Sequence, residues 1–222
     1  MSERARLKGY FVSGTDTGIG KTFIGQHLIA ELNHKHPSVK VRKPVESGCV
    51  PDENGNLLTQ DGDQLFHANN CRENLGIVTP FRYKAALAPN KAARLENKTL
   101  TLDDLESAVR NNITDDDLVL VEGAGGIYSP IADDGFNIDL AIRLGLDVIL
   151  VVEDRLGAIN QAMMAVNAIQ KQINIHAIIL NQISEQTDQS MENIQALKGY
   201  TQIPVYHCTP AGTITQAVFH NI

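Results

Sequence analysis

Apolar positions along the chain gather in four short unbroken runs, Tyr10–Val12, Leu118–Val121, Val148–Val152 and Ala177–Leu180. A strand with one wet face alternates apolar and polar residues, so an unbroken run predicts a strand buried on both faces. Val39–Val41 and Pro204–Tyr206 are weaker examples of the same pattern. Between these runs the apolar spacing turns helical: Thr22–Asn33, Leu102–Asn111, Ile138–Leu144, Ala158–Gln172 and Thr187–Leu197. Thr101-Leu-Asp-Asp104 has the form of a capping box at the start of the second stretch, and Gly145 closes the third. Strands alternating with helices predict an α/β fold, a doubly wound, mostly parallel sheet flanked by helices, as a single domain over residues 1–222.

One region breaks the pattern. From Glu46 to about Asn97 the chain is rich in Asn, Gly, Asp and Pro, and the expectation is long loops with one short helix near Gly62–Asn69. Long irregular stretches in a compact domain usually line a site, and in an open parallel sheet that site lies beyond the carboxyl ends of the strands.

Composition narrows the function classes. A formal charge of −7 leaves no basic stripe for nucleic acid or an anionic membrane surface. No stretch approaches the ~20 apolar residues that span a bilayer, and the first residues lack a secretory h-region, so the expected compartment is the cytoplasm. Cys49, Cys71 and Cys208 are odd in number and form no CxxC pair, which reads as free thiols rather than a disulfide framework or zinc site. His34 and His36, before Pro37, read as a solvated helix end.

The strongest chemical signal is Gly14-Thr-Asp-Thr-Gly-Ile-Gly-Lys-Thr22, between a predicted strand and a predicted helix. Its glycines let backbone N–H groups curl round phosphate oxygens at a helix N-terminus; Lys21 reaches the β- and γ-phosphates and Thr22 offers a hydroxyl to Mg²⁺. The spacing departs from the strict P-loop pattern, since Thr15 stands where the first Gly belongs. Magnesium takes further oxygen ligands from neighbouring strand ends, and Glu122 ends the run Leu118–Val121, followed by Gly123, Ala124, Gly125 and Gly126, which let the backbone pass close to phosphates. After the second strand, Lys43-Pro-Val-Glu-Ser-Gly48 places a lysine as a fixed charge for a transferring phosphoryl group, with Ser47 and Gly48 beside it.

Together, Gly14–Thr22, Lys43–Gly48, Glu122–Gly126 and Leu156-Gly-Ala-Ile-Asn160 resemble the dethiobiotin synthetase family, in the family's order and over roughly residues 8–185. The resemblance implies a P-loop NTPase fold and an ATP-dependent ligase of biotin biosynthesis. In such an enzyme 7,8-diaminopelargonic acid captures CO₂ as a carbamate, the carbamate attacks the γ-phosphate, and the second amine displaces phosphate to close the ureido ring. It further implies catalytic roles for Lys21 and Lys43, a magnesium site of Thr22, Asp63 and Glu122, and a nucleotide cradle of Gly18, Ile19, Gly20, Lys21, Thr22 and Phe23 with Gly123, Ala124 and Gly125. Asp61 competes with Asp63; the preference for Asp63 rests on its standing two residues before Leu65. Asn181 and Gln182, with Pro210, Ala211 and Gly212, stand where the family reads the purine. Thr17 and Ser47 match contacts to the amine and carbamate end of the substrate. Leu156, Gly157, Ala158, Ile159 and Asn160 match the segment that holds its carboxylate from the other subunit, so a homodimer is implied. Asn90 departs from the family, which carries a histidine after the proline at that point.

A partitioning-type switch ATPase shares the sheet and P-loop but carries a signature lysine where this chain has Asp16. A related amidoligase usually adds a glutaminase domain, for which 222 residues leave little room.

Overall fold

The computed structural model describes residues 5–183, 192–214 and 218. The chain enters through β1 (Gly9–Gly14), turns through the glycine loop into α1 (Lys21–Lys35), and returns as β2 (Val39–Arg42). The region from residue 46 to 97, expected to be mostly loop, is instead a series of short elements. These are β3 (Val45–Ser47), β4 (Val50–Pro51), β5 (Leu57–Leu58), α2 (Asp61–Ala68), α3 (Leu75–Val78), β6 (Phe81–Tyr83) and α4 (Pro89–Leu95). β3 pairs in parallel with β6, and β4 with β5 as a small hairpin. Elements of two to seven residues are shorter than the window over which hydrophobic periodicity registers, so only α2, of eight residues, left a trace in the pattern.

The remainder alternates regularly: α5 (Leu102–Arg110), β7 (Leu118–Gly126), β8 (Pro130–Ala132), β9 (Gly135–Phe136), α6 (Asn137–Leu144), β10 (Asp147–Glu153), α7 (Ala158–Ile169), β11 (Ile175–Asn181), α8 (Asn193–Tyr200) and β12 (Val205–Cys208). Thr101 and Asp104 form the reciprocal capping box of α5, and Gly145 ends α6 at φ 70. Residues 187–191 of the helical stretch expected at 187–197 lie outside the described residues; the rest begins α8.

β1, β2, β7, β10, β11 and β12 form one parallel sheet in the order β12-β11-β10-β1-β7-β2. Alternate residues of each central strand enter opposite cores. Phe11, Val119, Val121, Val148, Leu150 and Ile178 pack on the side of α5, α6 and α7. Val12, Leu120, Ile149, Val151 and Ile179 pack with Ile24, Leu28 and Leu32 of α1 and Leu65 of α2. That double burial is the physical reason for the unbroken apolar runs.

Candidate active site

Four strand ends converge where β1, β7, β2 and β11 stop. β7 runs past its apolar portion to Gly126, with Val12 opposite Glu122 and Gly14 opposite Gly126 across a bulge in β7. The glycine loop leaves β1 and enters α1 through Gly20, whose backbone is left-handed at φ 81. A Cβ at Gly20 would also run into Asn181 Nδ2, which donates to Ile19 O at 2.9 Å. Asn181, at the end of β11, thus straps the loop from behind, and its own Oδ1 is buried without a partner.

Lys21 is buried, and its ammonium donates to the Asp16 carbonyl at 2.9 Å. Burial and the nearby positive charge of Lys43 bring its pKa down to about 8, against weaker support from Glu122, Asp61 and Asp16. Thr22 Oγ1 donates to Glu122 Oε1 at 2.9 Å. Lys43, 3% exposed, donates to the same Glu122 oxygen at 2.6 Å and to the Gly123 carbonyl at 3.1 Å, and pairs with Asp61 Oδ2 at 3.0 Å. Desolvation disfavours the charge on Lys43, but Glu122 and Asp61 outweigh it and hold the ammonium above the ordinary lysine range. Burial tends to raise Asp61 as well, and Lys43 reverses that and holds its carboxyl low. Glu122, enclosed on every side, is pushed up by desolvation against the pull of Lys43.

Besides Glu122, the carboxylate that meets Lys43 is Asp61, whereas the sequence had pointed to Asp63. Asp63 is half exposed and faces His67 at 3.7 Å on the outside of α2. At ~100° per residue, positions two apart on a helix point nearly opposite ways, while positions four apart share a face. Leu65 is buried in the core, so Asp61, four before it, faces inward and Asp63 cannot. That spacing was a usable signal in the sequence.

Two further groups escaped the sequence reading. Asn137, fully buried, holds the Gly-rich end of β7: its Oδ1 accepts from Ala124 N at 3.0 Å, and its Nδ2 donates to the carbonyls of Ala124 and Gly126 at 2.8 and 2.9 Å. A Cβ on Gly123 would strike Asn137 Oδ1, and one on Gly125, at φ 77, would crowd Ser129. The second is Glu46, whose carboxylate accepts from three backbone N–H groups at the start of α2.

Of the remaining expected residues, Thr17 is exposed on the glycine loop beside Gly125, and Ser47 donates from its hydroxyl to the Leu87 carbonyl at 2.7 Å. A cleft of about 270 Å³ opens between Glu46–Gly48 and Thr59–Asp61. Pro210–Gly212 follow β12 in a turn closed by Gly212 N to Thr209 O at 2.9 Å, and Gly212 is seated on Phe23 and His27 of α1. Gln182 N donates to Cys208 O at 2.9 Å, joining this turn to the end of β11. The structure thus brings Ile19, Gly20 and Phe23 together with Asn181, Gln182 and Gly212 on one side of the loop, and Lys21, Thr22, Lys43, Asp61 and Glu122 on the other. Leu156 to Asn160 lie apart, beyond β10, with Leu156 83% exposed and Gly157 left-handed at φ 90 before α7. Asn90, in the first turn of α4, accepts at Oδ1 from Lys91 N.

The family described as an AAA domain matches residues 8–214. The "ATP-dependent dethiobiotin synthetase BioD" of Ruthia magnifica is 38% identical over 200 residues, 90% of each chain. That of Vesicomyosocius okutanii is 42% identical over 178 residues, 80% of each. The protein of the same name in Phenylobacterium zucineum is 35% identical over 96% of this chain and 95% of its own. The chain belongs to the ATP-dependent dethiobiotin synthetase family. As a dethiobiotin synthetase it is a ligase of the P-loop class. Among solved structures, the signal recognition particle receptor FtsY from Elizabethkingia anophelis in complex with GDP superposes with a TM-score of 0.51 at 17% identity. The overlap covers 94% of this chain but only 58% of that one. FtsY from Thermotoga maritima gives 0.50 at 14% identity, over 94% and 65%. At such identities these share the fold alone.

Proposed function

We propose that the chain catalyses the ATP- and Mg²⁺-dependent closure of 7,8-diaminopelargonic acid and CO₂ to dethiobiotin, releasing ADP and phosphate. The carrying observation is the constellation of the buried Lys43 and Glu122 with the half-buried Asp61 and Thr22 against the glycine loop. A carbamate is a weak anionic nucleophile approaching another anion, so catalysis consists largely of positioning and charge neutralisation. Lys21 and Lys43 supply fixed positive charge to the γ-phosphoryl group as the carbamate oxygen attacks and ADP leaves. The substrate's second amine then attacks the activated carbonyl carbon, phosphate departs, and the ring closes.

Thr22, Asp61 and Glu122 form a hard oxygen donor set of the kind Mg²⁺ accepts together with phosphate oxygens. Glu122 Oε2, buried and without a hydrogen-bond partner, supports the fit. Bound there, the ion offsets charge on the phosphate oxygens. Among the described residues no group of three or more His, Cys, Asp or Glu side chains is arranged to hold a metal ion. Thr17 and Ser47 are assigned to the reacting end of the substrate, Asn181, Gln182 and Pro210–Gly212 to the base, and Leu156–Asn160 to the substrate carboxylate of a partner subunit in a homodimer. The exposure of Leu156 supports the last assignment. We place the enzyme in the cytoplasm as one catalytic domain; no helix among the described residues is long and apolar enough to cross a membrane.

Phosphate release measured with ATP, Mg²⁺ and bicarbonate, with and without the diamine, tests the reading when coupled to mass spectrometry. Diamine-dependent release with dethiobiotin as product is expected. Hydrolysis indifferent to the diamine, with no dethiobiotin, would overturn it.

A further inference from the structure

α2 begins without a cap of its own: Gln60 at its N-cap position makes no side-chain hydrogen bond to the helix. The first backbone N–H groups of a helix have no intrahelical acceptor, and leaving them bare in the interior is costly. Here the acceptor comes from another element. Glu46 on β3, 7% exposed, takes Gln60 N at 2.6 Å and Asp61 N at 3.1 Å on Oε1, and Gly62 N at 2.8 Å on Oε2. Its negative charge also lies at the positive end of the helix. Gly62 is wedged against Thr79 and Thr59, so the first turn of α2 has little freedom to shift.

The segment that carries Glu46 also carries Lys43. Lys43 meets the Asp61 carboxylate at 3.0 Å while Glu46 holds the Asp61 backbone. One short stretch of chain therefore grips the same aspartate at both ends. We propose that Glu46 is a positioning residue for the metal side of the site: by capping α2 from β3 it fixes the rotation and advance of that helix, and so aims Asp61, rather than Asp63, at Lys43 and Glu122. The inference rests on the reading of Asp61 as a carboxylate that serves Mg²⁺.

The test compares Glu46→Ala, Glu46→Gln, Asp61→Asn and the double variant Glu46→Ala/Asp61→Asn in the full chain. Two quantities are read: amide hydrogen exchange of the segment 59–65, and the Mg²⁺ concentration giving half-maximal turnover. Nucleotide affinity without Mg²⁺ serves as the control. In Glu46→Ala we expect exchange at 59–65 to accelerate at least about tenfold and half-saturation by Mg²⁺ to rise by about 10–100-fold. Metal-free nucleotide affinity and exchange in β1 and β7 should stay near wild type. Glu46→Gln, which keeps the volume and one acceptor oxygen, should fall between, and it carries the test if the alanine variant does not fold. The double variant should be no worse in Mg²⁺ dependence than Asp61→Asn alone, because both act through one carboxylate. Unchanged exchange at 59–65, an unchanged Mg²⁺ requirement in folded Glu46 variants, or an effect fully additive with Asp61→Asn would each overturn the inference. If Asp61→Asn itself leaves the Mg²⁺ requirement unchanged, the metal reading of Asp61 falls and the inference with it. A shift in Asp61→Asn with none in the Glu46 variants removes the inference alone.

Discussion

Lys43 touches Glu122, Asp61 and the Gly123 carbonyl at once, so its truncation has two separable consequences. Turnover of Lys43→Ala should fall by about 10²–10³, the loss typical of one preorganised charge-stabilising donor, while affinity for a fluorescent ATP analogue stays within a few-fold. Stability should also drop by about 3–5 kcal/mol in denaturant titration without nucleotide, because Glu122 is left in the interior with no counter-ion. Lys21 adds a pH dependence. With its pKa brought from 10.5 to about 8 in the nucleotide-free fold, the unfolded chain holds a proton that the folded chain has lost between those values. This group's contribution therefore makes stability rise with pH across that window and leaves it flat below about 8. Phosphate oxygens favour the charged form, so nucleotide binding near pH 9 should take up close to one proton, and near pH 6.5 almost none. Calorimetry in buffers of different ionisation enthalpy reads that number directly, and Lys21→Met should abolish the uptake.

At the scale of elements, the glycine loop works because α1 starts in a conformation that a side chain cannot follow. Gly20 is left-handed and lies against Asn181, so an added methyl meets both a backbone penalty and a collision with the strap from β11. Gly20→Ala should destabilise the fold by at least about 1–2 kcal/mol in denaturant titration and abolish measurable nucleotide binding, since the loop must open to admit the methyl. Retained nucleotide binding would mean that the loop adapts and that Asn181 does not hold it. α2 illustrates the complementary case, in which a helix is aimed from outside by a carboxylate on β3, and its one inward-facing aspartate enters the site.

The whole molecule leaves Leu156–Asn160 beyond β10, away from the Lys43–Glu122–Asp61 cluster and mostly exposed. If that segment serves the site of a second copy, the protein should sediment at twice the chain mass of 24.2 kDa. Mixing also becomes diagnostic. An inactive Lys43→Ala chain and a chain inactivated at 156–160 should, when co-refolded, recover about a quarter of wild-type activity, because half the dimers are mixed and each holds one intact site. Absence of recovery in mixed dimers would place the segment in its own subunit's site.

The amino-acid sequence by itself determined the six parallel strands, the helices between them, the glycine loop and the family. Each of these is written in contiguous residues: a run of apolar side chains demands cover on both faces, and a strand–glycine–lysine–helix order leaves one way to cradle phosphate. Within the site, Lys21, Thr22, Lys43 and Glu122 were legible because they sit at fixed offsets from strand ends. Tertiary structure decided which aspartate of α2 meets Lys43, the elements within 46–97, and the contacts of Glu46 and Asn137. The aspartate choice turns on how α2 is rotated, which a buried Leu65 and three hydrogen bonds to Glu46 settle from outside the helix. Asn137 acts on carbonyls and an amide 11 to 13 residues away in sequence, joined to it only once β8 and β9 bring the start of α6 back against the end of β7. Such polar contacts obey no period, because the partner of a buried donor or acceptor is chosen by where the chain returns in space.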